Sequence, residues 1–378
     1  MENRVLIFLT DVESRKSFDI FNCLKTRYDF TFFSSQNWLV RIFLSLIYFK
    51  KVHPLGKGKN KVIQAFAKHA HSKDTEIIYL PVEEKTTEIV IESLNDIREL
   101  IPNFKALLPP LESFKTCQNK IEFSKYCNLK GFPIPTTYSL SNKTDLKLLE
   151  YPLIAKPSIG SGSVGIQFID NHNQFPSEIL REKNNWLIQS RLKETREVHG
   201  AFFLMKDGDC ISYYGHKRLR TFPKKGGVST FCVLSNDDHL KEIGIKILKS
   251  MRWNGFAMIE FIFDEQSEDY KIIEINPRLW GSVLLSEFSG SGFLDMYILE
   301  CIGRNTPASS ITKISFLRWL FPHEFVALIK REISVQEFFK IMKDPVCYIN
   351  LTYANPFSAI LFQIFLIGFN LGKVRLLK

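Results

Sequence analysis

The stretch YKIIEINPRLWGS, residues 270–282, has the composition of a buried β-strand, yet polar side chains recur at every second position. Because side chains alternate between the two faces of a strand, Glu274, Asn276 and Arg278 are expected to point the same way. The preceding stretch GFAMIEFIF (255–263) is also typical of a strand, and the polar residues between the two predict a hairpin.

The register of this hairpin decides what Glu260 faces. One register pairs Phe263 with Tyr270 and leaves Glu260 opposite an isoleucine. A shift by one residue places Glu260 opposite Glu274, with Asn276 next along the strand. Two carboxylates whose Cβ atoms are about 5 Å apart repel each other unless a cation lies between them. The hard oxygen donors favour Mg²⁺ with bound phosphates over zinc. The alternative is a glutamate pair on a solvent-exposed sheet face.

A second polar element is the stretch AKPSIGSGSVGI (155–166), in which Lys156 ends an apolar strand. The turn that follows contains Gly160, Ser161, Gly162, Ser163 and Gly165. Glycine lets backbone N–H groups approach phosphate oxygens closely, and lysine adds a point charge. No Gly-Lys-Ser/Thr opens a helix here, so the turn is not a P-loop. A plain hairpin turn is the alternative.

A third element is the basic stretch GHKRLRTF (215–222). In an extended strand His216, Arg218 and Arg220 share one face. Three basic groups on one face suit an anionic substrate or a triphosphate, and the alternative is a solvated edge with weak ion pairs. The segment KKGGVST (224–230) that follows is, with the glycine-rich turn, a candidate lid over the site.

Together these elements occur in a recognisable order, with Lys120 before them and the strand LIQSRL (187–192) between them. This order resembles the ATP-grasp superfamily, which includes D-alanine–D-alanine ligase, biotin carboxylase and carbamoyl phosphate synthetase. The resemblance runs from Met1 to about Gly303. The HKRLR…P…GGVST segment (216–230) is most similar to carbamoyl-phosphate-synthetase-like ligases.

The resemblance implies ATP as cofactor and a nucleotide role for each matching residue. Lys120 and Lys156 would bind the phosphates beneath the glycine-rich turn. The adenine would be bound by the strand that carries Gln189, Ser190 and Leu192, where these enzymes often have Glu in place of Gln189. Glu197 would contact the ribose, although KETREV (193–198) replaces the glycine-containing turn of many members.

The resemblance also implies a metal site and a reaction. Glu260, Glu274 and Asn276 would hold two Mg²⁺, for which Mn²⁺ can substitute, and Arg278 would face the reacting carboxylate. His216, Arg218 and Arg220 would complete the catalytic group. The implied reaction joins a small-molecule carboxylate to an amine through an acyl phosphate. The alternatives are carboxyphosphate chemistry on bicarbonate and a catalytically inactive nucleotide-binding regulator.

The pattern of strands and helices predicts three regions. Residues 1–112 begin strand–helix–strand, which predicts an α/β domain with a parallel sheet. In residues 113–305 the pattern predicts an α+β region with mostly antiparallel strands. The resemblance implies that this region is an ATP-grasp fold with antiparallel sheets, divided into lobes 113–190 and 191–305. Residues 306–378 predict a basic, mainly helical C-terminal region.

Composition limits the partners. The 378 residues carry a net charge of +10, but no interleaving of basic and aromatic residues suggests a nucleic-acid partner. The seven cysteines form no CxxC pair, which favours reduced thiols and a cytoplasmic location. One basic run, FKKVHPLGKGKNK (49–61), is either a solvated loop or a surface that faces phosphate or lipid.

Two apolar segments raise the question of a membrane. WLVRIFLSLIYF (38–49) contains Arg41 and is too short to span a bilayer. The apolar run in PFSAILFQIFLIGFNLGKVRLLK (356–378) is about fourteen residues, short of the ~20 that a span needs. It is either a terminal helix docked on the protein core or one that lies on a membrane surface with Lys373, Arg375 and Lys378 at the headgroups. A homodimer is also left open.

Overall fold

The structure is a computed structural model, and it describes most of the chain. The described ranges are 4–70, 74–140, 145–160, 164–192, 198–222, 228–304, 314–320, 324–340, 346–349 and 355–376.

The N-terminal domain is a five-stranded parallel sheet in the order β3-β2-β1-β4-β5, as predicted. Its elements are β1 (Arg4–Leu9), α1 (Arg15–Leu24), β2 (Asp29–Ser34), α2 (Trp38–Tyr48), β3 (Val52–Pro54), α3 (Lys59–Ala67), β4 (Thr75–Leu80), α4 (Glu84–Glu92), α5 (Leu94–Leu100) and β5 (Phe104–Lys105). Alternate residues of β1 lie in different cores, because Ile7 packs with Phe18 of α1 while Phe8 packs with Phe66 of α3. The strand order reverses between β1 and β4, and α4 starts at the carboxyl edge of the sheet, where α/β proteins bind ligands.

The first lobe of the following domain is a four-stranded antiparallel sheet in the order β6-β9-β7-β8. Its elements are α6 (Leu111–Gln118), α7 (Lys120–Lys130), β6 (Thr137–Tyr138), β7 (Leu153–Pro157), β8 (Gln167–Ile169), α8 (Ser177–Arg181) and β9 (Trp186–Ser190). The sequence suggests one helix from about Cys117 to Leu129, but a break at Asn119 divides it. The Asn119 side chain accepts hydrogen bonds from the N–H groups of Ile121 and Glu122 and so starts α7 at Lys120.

The second lobe is built on a larger sheet in the order β14-β13-β10-β11-β12-β15-β16. Its elements are β10 (Val198–Lys206), β11 (Asp209–Phe222), β12 (Val228–Leu234), α9 (Asp238–Ser250), β13 (Gly255–Asp264), β14 (Asp269–Asn276), α10 (Val283–Phe288) and α11 (Phe293–Cys301). The first five strands are antiparallel, which confirms the predicted ATP-grasp architecture.

The C-terminal region contains β15 (Phe316–Arg318), α12 (Phe325–Ile329), α13 (Val335–Lys340), β16 (Cys347–Ile349) and α14 (Pro356–Leu376). It is mainly helical, as predicted, but β15 pairs with β12 and extends the sheet of the second lobe. The division at residue 305 therefore stays a prediction, since the sheet crosses it.

Helix α14 returns to the N-terminal domain. Phe362 stacks on Phe18 of α1 with ring centroids 4.3 Å apart, and Ala359 and Phe365 are also buried. One side of the helix is thus docked on the protein, the first of the two predicted arrangements, while its other side is exposed. Among the described residues, no helix is long and apolar enough to cross a membrane.

Candidate active site

The β13–β14 hairpin places Glu260 directly opposite Glu274. Phe263 pairs with Tyr270, and a regular ladder from that pair would leave Glu260 opposite Ile273. An irregularity between Glu260 and Phe261 shifts the register by one residue and brings the two carboxylates together. The sequence predicts these two registers as alternatives. The bulge allows both, because the strands pair Phe263 with Tyr270 near the turn of the hairpin and Glu260 with Glu274 at the site.

A chain of contacts continues from this pair toward the N-terminal domain. Asn276 Nδ2 donates to Glu274 Oε1 at 3.3 Å, and Arg278 Nη2 donates to Asn276 Oδ1 at 3.0 Å. Arg278 Nε donates to Glu84 Oε1 at 3.1 Å. The acid beside Arg278 is therefore Glu84, at the start of α4.

Two lysines approach the glutamates from the first lobe. Lys120 Nζ lies 3.8 Å from Glu274 Oε2 and donates to the Gly160 carbonyl oxygen at 2.5 Å. Lys156 is buried, and its Nζ donates to Gln189 Oε1 at 3.2 Å. Burial lowers the pKa of Lys156, an effect that Glu274 opposes. Both ammonium groups thus border the carboxylates, as a site for an anionic nucleotide requires.

The glycine-rich turn joins β7 to β8. Gly160 has φ 138° and Gly165 has φ 79°, values that other residues rarely adopt. A Cβ atom on Gly165 would also lie 3.0 Å from Pro157 Cγ, so the turn needs glycine there on two grounds. The predicted phosphate contacts of Ser161, Gly162 and Ser163 lie outside the described residues.

The predicted adenine segment lies at the end of β9 in the same sheet. Gln189 is buried, and its Nε2 donates to Thr137 Oγ1 at 3.2 Å. The Ser190 N–H donates to the Thr136 carbonyl, and the chain leaves the strand before Leu192, which is half-buried. Glu197, the predicted ribose contact, lies outside the described residues. The adenine role of this segment stays a prediction.

The basic strand β11 is separated by β10 from the strand that carries Glu260. Gly200 of β10 pairs with His216 on one side and with Glu260 on the other. A Cβ atom on Gly200 would lie 2.9 Å from His216 Nε2, so glycine makes the room that the ring occupies. On the same strand as His216, Arg218 Nη2 donates to Glu260 Oε1 at 2.5 Å. Arg218 therefore contacts the carboxylate pair.

The other two basic residues have different surroundings. His216 is buried, and its Nδ1 is 3.1 Å from Ser282 Oγ. Burial and the nearby Arg218 hold the pKa of His216 well below its usual value, so the ring is neutral. The pairing of β11 with β12 is irregular on both sides of Arg220, whose Nη1 instead contacts Glu324 Oε1 at 2.7 Å. The expected single basic face is therefore divided, and a catalytic role for Arg220 stays a prediction that this contact does not favour.

The carboxylate pair has the electrostatics of a cation site. Burial raises the pKa of Glu260, Arg218 lowers it, and the charge on Glu274 raises it again. A cation between the carboxylates would remove that repulsion. Within the described ranges, no group of three His, Cys, Asp or Glu side chains is arranged to hold a metal ion. The two carboxylates and the Asn276 amide oxygen therefore stay a predicted donor set.

Sequence reasoning missed the contribution of the N-terminal domain. Besides Glu84, the partly buried Lys16 donates to the carbonyl oxygen of Val82 at 2.6 Å and is 3.0 Å from Glu83. Burial and the nearby Arg278 lower the pKa of Lys16 to about 8. The signal in the sequence was the acidic pair Glu83–Glu84 directly after a parallel strand, a usual position for ligand-binding residues.

Comparisons with known proteins identify the family of the central domain. Residues 117–282 match the ATP-grasp domain family. The large chain of carbamoyl phosphate synthase from Thermoanaerobacter sp. (strain X514) is 28% identical over 206 residues, which cover 50% of this chain and 19% of that protein. The chain thus matches about a fifth of this relative's length.

Two solved structures share the fold. The biotin carboxylase domain of the 2-oxoglutarate carboxylase from Hydrogenobacter thermophilus, a dimer in complex with MgADP, ADP and bicarbonate, superposes with a TM-score of 0.59 at 15% identity, covering 83% of this chain and 73% of that one. The L-amino acid ligase from Bacillus licheniformis superposes with a TM-score of 0.56 at 14% identity, covering 80% and 74%. Residues 117–282 are thus identified as an ATP-grasp domain.

Proposed function

We propose that the protein is an ATP-dependent ligase that activates a carboxylate as an acyl phosphate and joins it to an amine, with release of ADP and phosphate. The observation that carries the proposal is the convergence of the Glu260–Glu274 pair, Asn276 and Arg278 with two lysines from the other lobe. Such a site combines acidic metal ligands with cations for phosphate, which phosphoryl transfer from ATP requires.

The lysines bind the nucleotide in this proposal. Lys156 is buried near the carboxylates of Glu260 and Glu274, which favour its charged form. Because water solvates the ammonium group only in part, it can pair strongly with a phosphate oxygen. Lys120 now contacts the Gly160 carbonyl, which ties it to the glycine-rich turn. When a phosphate replaces that carbonyl, the turn is free to close over the nucleotide, and closure keeps the acyl phosphate from water.

Glu260, Glu274 and Asn276 hold Mg²⁺, with two ions expected and Mn²⁺ able to substitute. Bound Mg²⁺ neutralises charge on the phosphates during transfer. Arg218 donates to one oxygen of Glu260 and so fixes the orientation of that carboxylate. The Glu274 oxygen near Lys120 faces the first lobe. His216, neutral and hydrogen-bonded to Ser282, lies on the same strand as Arg218.

Arg278 orients the reacting carboxylate. Its guanidinium is held by Glu84 on one edge and by Asn276 on another, so little freedom remains to be lost when substrate binds. A planar, permanent cation at this position stabilises the oxyanion that forms when the amine attacks the acyl phosphate.

A second candidate is carboxyphosphate chemistry, in which bicarbonate takes the place of the organic carboxylate. Two of the similar proteins support this alternative. One relative by sequence is a carbamoyl phosphate synthase, and one structural neighbour was solved in complex with bicarbonate. The same residues would serve, because bicarbonate is itself a carboxylate. A catalytically inactive regulator is disfavoured, because the expected metal-binding side chains and Arg278 are all present.

The test is ADP release measured with a panel of amino and sugar acids, each with and without amines, and with bicarbonate alone. ADP release that depends on both an acid and an amine, with the ligated product seen by mass spectrometry, is the expected result. ADP release with bicarbonate alone would favour the second candidate. Nucleotide binding without turnover under every condition would favour the regulator.

A further inference from the structure

Helices α2 and α14 lie side by side on the outside of the N-terminal domain. The rings of Phe43 and Phe365 are 5.9 Å apart, and those of Phe49 and Phe357 are 6.4 Å apart. The end of α2 therefore meets the start of α14, and the two helices run antiparallel. Both are anchored through their inner sides, where residues such as Leu44 and Phe362 are fully buried.

The outer sides of these helices are apolar and uncovered. Eight large hydrophobic side chains there are each more than half exposed, and they recur at helical spacing. They are Trp38, Leu39, Ile42, Leu46, Phe49, Phe357, Ile360 and Ile364, which together form the α2–α14 face. A contiguous apolar surface of this kind marks an interaction site, since scattered exposure is the rule elsewhere on proteins.

The charged residues within the two helices have one sign. Neither helix contains Asp or Glu in its sequence. Lys50 and Lys51 follow α2 directly and are exposed next to Phe49, at the start of the basic run 49–61. An apolar helical face bordered by lysines has the composition of a segment that lies in a membrane interface.

We propose that the α2–α14 face docks the protein on an anionic lipid surface, with both helices in the plane of the interface and the lysines at the headgroups. The described helices do not span a bilayer, which leaves the in-plane arrangement. A second copy of the chain fits the face less well, because two such faces would bring lysines together with no acidic residue in either helix to neutralise them. The proposal is independent of the ligase reaction.

The experiment is co-sedimentation of the full chain with vesicles of phosphatidylcholine and phosphatidylserine in about a 2:1 ratio, compared with phosphatidylcholine alone. We expect binding to the mixed vesicles that weakens with salt. Ile42→Glu/Ile364→Glu places charge at two exposed sites and should abolish it. Lys50→Gln/Lys51→Gln should weaken it about 30-fold, or about fivefold for each positive charge lost. Leu148→Glu, at an exposed leucine far along the chain, is the control that should bind normally.

Trp38 gives a second readout, because it is 61% exposed while Trp253, Trp280 and Trp319 are fully buried. Vesicles should shift its fluorescence to the blue, and Trp38→Phe should remove the shift. No binding to mixed vesicles would overturn the proposal. So would light scattering that shows a lipid-independent dimer which the Ile42→Glu/Ile364→Glu variant converts to a monomer, since the face would then be an interface between copies.

Discussion

Arg278, two residues beyond the end of β14, donates from Nε to Glu84 Oε1 at 3.1 Å at the start of α4. This contact ties the strand that carries the candidate metal ligands to the carboxyl edge of the N-terminal sheet. The N-terminal domain therefore sets the direction of the guanidinium proposed to face the substrate.

Replacing Arg278 with lysine should separate catalysis from nucleotide binding. Lysine keeps the charge but loses the planar fork that Glu84 and Asn276 hold. We expect ATP affinity within a few-fold of wild type and a chemical step slower by roughly 10²–10³. Nucleotide binding and product formation are measured on the same variant.

The companion variant is Glu84→Gln, which keeps an acceptor but not the charge beside Arg278; it should slow turnover about tenfold with little change in ATP affinity. Parallel loss of binding and turnover in Arg278→Lys, or full turnover, would contradict the proposed role.

Removing a candidate metal ligand should abolish turnover without unfolding the protein. Glu274→Gln and Asn276→Ala each take away an oxygen donor, and Glu274→Gln also relieves repulsion with Glu260. Turnover is measured by ATP consumption across a Mg²⁺ titration, and folding by thermal melting. Glu268→Gln, in the exposed turn of the same hairpin, is the control. ATP consumption at the wild-type rate by both variants would show that the metal site is elsewhere.

Lys156→Ala should weaken ATP binding more than adenosine binding. The side chain is buried near the glutamates, and its proposed ligand is a phosphate, which adenosine lacks. Calorimetry with both ligands makes the comparison, and Lys147→Ala on the exposed surface of the same lobe is the control. Equal losses for the two ligands would mean that Lys156 supports the fold of the lobe and not the phosphate contact.

Stability should fall as pH rises through the titration of Asp11. Burial raises the pKa of this carboxyl from 3.8 to about 7 in the folded protein. Between about pH 4 and pH 7 the folded state holds a proton that the unfolded state has released, so the free energy of unfolding decreases with pH in this window. Below about pH 4 the carboxyl is protonated in both the folded and the unfolded state. Above about pH 7 it is ionised in both states, and the loss of stability has reached its full size.

The variant Asp11→Asn should remove this cost. It keeps an acceptor for Thr86 Oγ1, which donates to Asp11 Oδ1 at 2.9 Å. The free energy of unfolding at about pH 8 should rise by roughly 1–4 kcal/mol, and the pH dependence should flatten. Urea unfolding near pH 5 and pH 8 checks both. Asp11 has φ 54°, which favours Asn, so Asp207→Asn, exposed with φ 50°, controls for the backbone effect. An unchanged pH profile in Asp11→Asn would rule out this carboxyl.

The sequence by itself determined the parts of the site that depend on local spacing. The alternation of Glu274 and Asn276 fixes their common direction, because a strand has a period of two. The glycine-rich turn between Gly160 and Gly165 can be recognised in the sequence, because glycine tolerates the positive φ angles that this turn contains. These short-range patterns, with their order along the chain, were enough to predict the fold and the resemblance to ATP-grasp enzymes.

Only the tertiary structure decided which distant side chains meet. The bulge beside Glu260 settled the register, and the packing of β11 in the same sheet brought Arg218 to that carboxylate. Gly200 left room for the His216 ring. The ion pair of Glu84 with Arg278 joins residues 194 positions apart. The α2–α14 face likewise needs two helices from opposite ends of the chain. Such contacts depend on how sheets and helices pack against one another, and a local pattern of polar and apolar residues does not specify that packing.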